Sequence, residues 1–338
     1  MSEKLFGKLE DRRRTKVQMV KELYERCKEN KWIHYCVYLF ISVCVIYSIY
    51  STTTGYMAGD SGIYFTFCRN FFQKPFSYAN GMVSYGASSP FFCILLSVIY
   101  LIPWGNWFLN MKVFSIFLVV LSIFVCNKII KGNIFTYVGM LGVLGLCKDY
   151  ILYSSYVFET GLIGVSIAVL IYLLMNQKVR GAIYLCGILY LIRPELALVT
   201  AVIDLMILFF ENDKGKNFIR MIVSAIPLLC YTAYMWYQTG SILPSSITGR
   251  ALFATEGNKS ILEKWKLCWI NIKVSYKLIF IVLIVLSITY LVIKILTKKS
   301  FRIEYKKNLG YILAIFCCIL FPHILLPAVN HFVRYTIG

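Results

Sequence analysis

Charged side chains are scarce in this sequence. Only 15% of its 338 residues are Asp, Glu, Lys or Arg, and just 16 are acidic, whereas 59% are apolar. A soluble domain is typically about a quarter charged and about half apolar. The shortage of polar side chains excludes a soluble enzyme, a disordered chain and a secreted disulfide-rich scaffold. It predicts an all-α, multi-pass transmembrane helical bundle in the cell membrane.

The sequence also lacks paired cysteines and clustered histidines. None of its 12 cysteines belongs to a C-x-x-C motif, and most lie inside apolar runs, as small buried hydrophobic residues do. The three histidines, His34, His323 and His331, are far apart in the sequence. Neither residue type predicts a cofactor. A divalent metal ion held by acidic residues stays open as an alternative.

Basic residues outnumber acidic ones, which gives a formal net charge of +19. Their positions argue against nucleic-acid binding, because ten of the 35 precede residue 32 and most others separate apolar runs. Such a distribution sets the orientation of helices in a bilayer. We therefore expect residues 1–32 to be a basic cytoplasmic segment and residues 33–338 to be the transmembrane domain, with membrane lipid as a partner.

The apolar runs predict about nine spans, since about 20 residues are needed to cross a bilayer. They are 33–52, 111–127, 134–148, 161–175, two short helices that meet at 193–195 within 181–210, then 218–237, 276–296 and 309–328. Extracytoplasmic loops are expected at 53–110 and 238–275, and the short run 89–103 is predicted to be interfacial or re-entrant. In the alternative topology 89–103 spans and 181–210 is one helix, which exports several basic residues.

The preferred topology places a set of ionisable residues at the outer face, namely Asp60, Asp149, Glu159, Arg193, Glu195, Arg250, His331 and Arg334. Charged groups at membrane depth are costly and are therefore functional candidates. The candidates at this face are Asp60, Arg69, Glu159, Arg193, Glu195, Arg250, His331 and Arg334.

Eight short motifs lie at or between these residues. In chain order they are Gly59-Asp60-Ser61-Gly62-Ile63-Tyr64, Arg69-Asn70, Asn80-Gly81, Gly86-Ala87-Ser88-Ser89-Pro90, Phe158-Glu159-Thr160-Gly161, Arg193-Pro194-Glu195, Leu243-Pro244-Ser245-Ser246 and Arg334-Tyr335. In this order they resemble motifs of the GT-C superfamily of membrane glycosyltransferases, and most closely its mycobacterial terminal arabinofuranosyltransferase-like group. Gly59 stands where that group has the first acid of a pair, and Ser245-Ser246 stands where it has Asn-Thr.

The resemblance implies a GT-C-like fold and an activity. It implies transfer of a sugar, with inversion, from a polyprenyl-phosphate donor to a glycan or lipid acceptor of the cell envelope. The reaction would occur on the extracytoplasmic face, while the N-terminus is cytoplasmic. Asp60 would be the catalytic base. The residues that would bind substrate are Arg69, Glu159, Arg193, Glu195, Arg250, His331 and Arg334.

Elementary chemistry supports these roles and leaves alternatives open. A carboxylate can accept the proton of an acceptor hydroxyl, and arginine matches phosphate with two parallel hydrogen bonds. Asp60 could instead cap a turn, Glu159 could simply favour a helix N-terminus, and Arg193 could pair with Glu159 or Glu195. For the whole protein, the alternatives are a catalytically inactive accessory subunit and a transporter or polymerase of lipid-linked glycans.

Overall fold

The computed structural model describes residues 31–53, 59–78, 81–146, 148–242, 244, 262–263, 266 and 303–325. In this part of the chain the regular structure is helical, and strand pairing is limited to one antiparallel bridge between Ser77 and Val83. The all-α prediction is confirmed at this level. Residues up to Ser48 and residues from Ile49 onward form two compact units.

The described residues form twelve α-helices and one 3-10 turn, Pro194–Leu196. In chain order the helices are α1 (Lys31–Thr52), α2 (Gly59–Asn70), α3 (Pro90–Tyr100), α4 (Trp107–Ile129), α5 (Ile134–Leu146), α6 (Lys148–Ser155), α7 (Thr160–Met175), α8 (Val179–Ile192), α9 (Ala197–Phe210), α10 (Lys214–Ser224), α11 (Ile226–Thr239) and α12 (Ile303–Leu325).

Three helical stretches are long and apolar enough to cross a membrane, namely Trp32–Thr52, Trp107–Ile129 and Lys214–Thr239. Large apolar side chains such as Phe40 and Trp236 are exposed along the first and third, as expected where lipid replaces water. These stretches support the prediction that the chain is a membrane protein. The other apolar helices have 10–17 residues, so the count of about nine spans is not confirmed. The predicted span 276–296, most of the loop 238–275 and residues 1–30 lie outside the described residues.

The segment 181–210 is two helices rather than one, as predicted. Helix α8 ends at Ile192, and Arg193 is extended (φ −157°, ψ 131°) before Pro194. Proline disfavours the helical conformation of the residue before it, which explains the break. Thr200 Oγ1 donates a hydrogen bond of 2.8 Å to the carbonyl of Cys186. These two residues lie equally far before and after Arg193, so α8 and α9 form an antiparallel hairpin.

Helix α2 replaces part of the predicted loop 53–110. Its glycines suggest a turn, but Tyr64, Phe65, Phe67 and Cys68 recur at helical spacing and are all buried. Phe65 packs edge-on against the rings of Trp107 and Phe108 at the start of α4, with centroids 5.3 and 5.1 Å away. Burial of this apolar face outweighs the low helix propensity of the glycines.

The predicted span 218–237 is interrupted. Helix α10 ends at Ser224 and α11 starts at Ile226, with Pro227 in its first turn. Proline has no N–H and clashes with the preceding turn, so it separates the two helices. Together they still cover Lys214–Thr239, which is long enough to span.

Candidate active site

A buried ion pair between Glu159 and Arg193 forms the centre of the candidate site. Glu159 precedes α7 and Arg193 lies at the α8–α9 break, and their side chains are 2% and 5% exposed. Arg193 Nη1 donates to Glu159 Oε1, while its Nε lies 3.2 Å and its Nη2 lies 3.4 Å from the carboxylate oxygens of Glu195. The pairing considered for Arg193 from the sequence is therefore present, and it involves both acids.

Tyr64 connects this ion pair to two earlier motifs. Its hydroxyl donates a hydrogen bond of 2.6 Å to Glu159 Oε2 and lies 2.9 Å from Ser88 Oγ. Because a phenol has one proton, Ser88 is the donor in the second bond. Burial, reinforced by the Glu159 charge, raises the pKa of Tyr64 well above its ordinary value, so the hydroxyl keeps its proton. Tyr64 stands in the first sequence motif, one helical turn after Asp60, but no site role was predicted for it.

Asp60 lies in the first turn of α2, which is fixed next to the ion pair by two contacts. Ser61 Oγ donates to the carbonyl of Tyr156, three residues before Glu159. Tyr64, one turn after Asp60, reaches Glu159 itself. The backbone of Asp60 is therefore held beside the segment that carries Glu159. The side chain of Asp60 lies outside the described part of the chain.

Glu159 occupies the N-cap position of α7 but makes no capping hydrogen bond there. Its carboxylate contacts Arg193 and Tyr64 instead. Gly161 explains how α7 comes so close to α4, since a Cβ at this glycine would lie 3.0 Å from the Ser115 carbonyl oxygen and 3.1 Å from Leu118 Cβ. Small residues allow such close helix packing. The glycine of this motif thus allows α7 to pack closely against α4.

Among the remaining predicted site residues, only Arg69 is described, and no contact places it in this group. Arg69 is exposed in the last turn of α2, about 7 Å further along the helix axis than Tyr64. Arg250, His331 and Arg334 lie outside the described residues.

Lys112 is a buried cation outside the sequence motifs, and it lies one helical turn before Ser115, whose carbonyl Gly161 approaches. It lies in the second turn of α4, is 0% exposed, and donates from Nζ to the carbonyl of Thr53. It forms none of the ion pairs found among the described residues. A fully buried lysine without a carboxylate is unusual, because burial of an unpaired charge is costly. A lysine inside a predicted span was itself the signal.

A metal site is not formed by the described side chains. No group of three or more His, Cys, Asp or Glu residues among them is arranged to hold a metal ion. The two acids of the centre, Glu159 and Glu195, both face the guanidinium of Arg193.

No family model, curated protein or solved structure matches this chain. The residues and their geometry therefore carry the function proposed below.

Proposed function

We propose that this protein is a membrane glycosyltransferase that moves a sugar from a polyprenyl-phosphate donor to a glycan or lipid acceptor on the extracytoplasmic face. One observation carries the proposal. Four sequence motifs that are far apart in the chain meet in a single buried polar network, which runs from Ser88 through Tyr64, Glu159 and Arg193 to Glu195. Buried charged groups in a membrane protein mark functional sites more often than structural ones.

In the proposed reaction the acceptor hydroxyl oxygen attacks the anomeric carbon of the donor sugar. The new glycosidic C–O bond forms as the bond between that carbon and the phosphate oxygen breaks, and the configuration inverts in this single displacement. Asp60 takes the proton of the hydroxyl as general base. The electron pair of the broken bond leaves with polyprenyl phosphate, whose negative charge requires a fixed cation nearby.

Arg193 and Lys112 have different roles in this proposal. The guanidinium of Arg193 already faces two carboxylates, so its charge is largely neutralised, and it positions Glu159 and Glu195. The ammonium of Lys112 faces only a backbone carbonyl in the described structure. Of these two described cations, Lys112 is therefore the better candidate to bind the leaving phosphate. Arg250 and Arg334 stay predicted phosphate ligands.

The test uses the full chain in lipid nanodiscs with polyprenyl-phosphate glucose, mannose and arabinose as donors. Mass spectrometry measures the free polyprenyl phosphate, since this product is the same whatever sugar is moved. We expect release from one of the donors that depends on an added envelope-glycan or glycolipid fraction, with inverted configuration in the product. Release without an acceptor would indicate a hydrolase. No release from any donor would contradict the proposal and favour an accessory subunit.

A further inference from the structure

Helix α10 exposes apolar side chains and buries polar ones. Phe218 and Ile222 are each 55% exposed, whereas Asn217 and Ser224 are 2% and 6% exposed. The Ser224 carbonyl lies so close to Gly187 of α8 that a Cβ at this glycine would clash with it. An apolar outer side of this kind marks contact with another apolar phase. Because the helix belongs to a stretch that is long enough to span a membrane, that phase is the acyl chains of lipid.

The two ends of the stretch Lys214–Thr239 carry residues that are typical of a membrane–water interface. Its first two turns contain three basic residues, which are Lys214, Lys216 and Arg220. Trp236, near the other end, is 60% exposed. About 33 Å of helix separates Lys214 from Trp236, and the hydrocarbon core of a bilayer is about 30 Å thick. Basic and aromatic residues flank such spans at the level of the lipid headgroups, which places the three basic residues among the headgroups of one leaflet.

Lys216 and Arg220 are neighbouring cations. They are four residues apart, so their side chains lie next to each other on the helix surface, where two like charges are destabilising. No ion pair found among the described residues includes either of them, although Glu211 and Asp213 come shortly before the helix. Arg220 Nη1 donates a hydrogen bond of 2.7 Å to Oδ1 of the buried Asn217, which holds the guanidinium in place. An anion bound between the two side chains would relieve their repulsion.

The basic end of α10 is far from the candidate active site. Helix α9 leads from the break at Arg193 to the turn before α10, and its 14 residues cover about 21 Å. Arg193 and Lys214 therefore lie near opposite ends of α9. In the predicted topology the start of α10 is on the cytoplasmic side, where anionic phospholipids give the membrane a negative surface potential.

We propose that Lys216 and Arg220, together with Lys214, bind the phosphate of an anionic phospholipid. Arginine matches phosphate with two parallel hydrogen bonds, and lysine adds a compact positive charge. The acyl chains of the same lipid lie along Phe218 and Ile222. The partner is a bilayer phospholipid rather than the polyprenyl phosphate of the transfer reaction, because α9 separates this surface from Arg193. The inference goes beyond the proposed function and does not rest on it.

The test titrates the full-length protein in detergent with phosphatidylglycerol, phosphatidylcholine and polyprenyl phosphate, and native mass spectrometry measures each affinity. The wild-type protein is compared with Lys216→Gln/Arg220→Gln. The matched control is Lys128→Gln/Lys131→Gln, which removes the same charge from exposed lysines at the end of another stretch that is long enough to span, Trp107–Ile129. Thermal unfolding of the lipid-free proteins shows whether each variant is folded.

We expect the wild-type protein to bind phosphatidylglycerol more tightly than phosphatidylcholine. Lys216→Gln/Arg220→Gln should weaken binding of phosphatidylglycerol about thirtyfold, the combined effect that two basic residues typically have at an anionic lipid surface. Binding of phosphatidylcholine should not change, and the control should keep the wild-type affinities. If the double variant does not fold, because Arg220 contacts the buried Asn217, the single variant Lys216→Gln should weaken binding of phosphatidylglycerol about fivefold.

Three results would overturn the inference. Equal affinities of the wild-type protein for the two phospholipids would show that no anionic headgroup is recognised. Equal weakening in the double variant and the control would show that only the net charge of the surface matters. Displacement of phosphatidylglycerol by polyprenyl phosphate from the wild-type protein, but not from the double variant, would assign the surface to polyprenyl phosphate instead. Absence of sugar transfer would contradict the proposed function and leave this inference intact.

Discussion

Replacement of Arg193 by methionine tests the buried network directly. Methionine keeps the aliphatic stem of the arginine side chain but removes the positive charge that faces Glu159 and Glu195. Glu159 would then keep its charge at 2% exposure, with Tyr64 as a donor. Removal of one partner of a buried ion pair typically costs about 3–5 kcal/mol, because the other charge is left uncompensated. We expect a loss of unfolding free energy in this range.

Replacement of Glu159 and replacement of Glu195 should lower the free energy of unfolding by different amounts. Glu159→Gln leaves Arg193 paired with Glu195 and keeps an oxygen for the Tyr64 proton, so its cost should be smaller than that of Arg193→Met. Glu195 is 22% exposed, and solvent screens its interaction with Arg193. Glu195→Gln should therefore cost about 1 kcal/mol or less. The double variant of Arg193 and Glu159 should be less destabilised than the sum of the single variants.

Denaturation with sodium dodecyl sulfate in bicelles provides the unfolding free energies of the four variants and the wild-type protein. The order expected is Arg193→Met, then Glu159→Gln, then Glu195→Gln, from the largest loss to the smallest. Equal losses for Glu195→Gln and Arg193→Met would refute the reasoning, since the burial of Glu159 would then have no energetic consequence. Strictly additive losses in the double variant would show that the two charges do not interact.

Three further predictions concern neighbouring residues. Tyr64→Phe removes a buried hydrogen bond to a carboxylate and should cost about 1.5–3 kcal/mol of unfolding free energy in the same assay, whereas a change below 0.5 kcal/mol would show that the bond is absent. Gly161→Ala should lower the free energy of unfolding by about 1–3 kcal/mol, because its Cβ would crowd α4. Gly142→Ala is the control, since a Cβ there meets nothing within 4 Å, and it should be neutral or stabilise the protein by up to about 1 kcal/mol. Equal effects of the two substitutions would exclude close packing at Gly161. Lys112→Met should weaken binding of polyprenyl phosphate about tenfold or more, whereas the control variant Lys128→Met should not. Unchanged binding in Lys112→Met would show that Lys112 does not bind the phosphate.

The helical fold and the break at Arg193 were predictable from the sequence. Apolar composition determines that the chain is helical in a membrane, and Pro194 between two charges interrupts the run 181–210. Helix α2 was not predicted, because glycine content suggested a turn while the periodic burial of Tyr64 and Phe67 decided the outcome. The number of spans could not be obtained from run length alone, since helices such as α7 are apolar but short.

The centre of the candidate site was partly predictable. The motifs singled out Glu159, Arg193 and Glu195, and a pairing of Arg193 with Glu159 or Glu195 was one of the alternatives that the sequence left open. Tyr64 belongs to the first motif, but its role was not predicted, because its hydroxyl contacts a residue 95 positions away in the sequence and no local pattern reports such a contact.

The most direct test of the account is the rate of polyprenyl phosphate release by Asp60→Asn in nanodiscs with acceptor present. Asparagine is nearly isosteric but cannot take the acceptor proton, so we predict a rate at least about 100-fold below wild type, since general base catalysis typically contributes 10²–10⁴. Asp213→Asn, an exposed aspartate that precedes α10, should retain the wild-type rate. A wild-type rate in folded Asp60→Asn would contradict the central claim that this carboxylate is the base for sugar transfer.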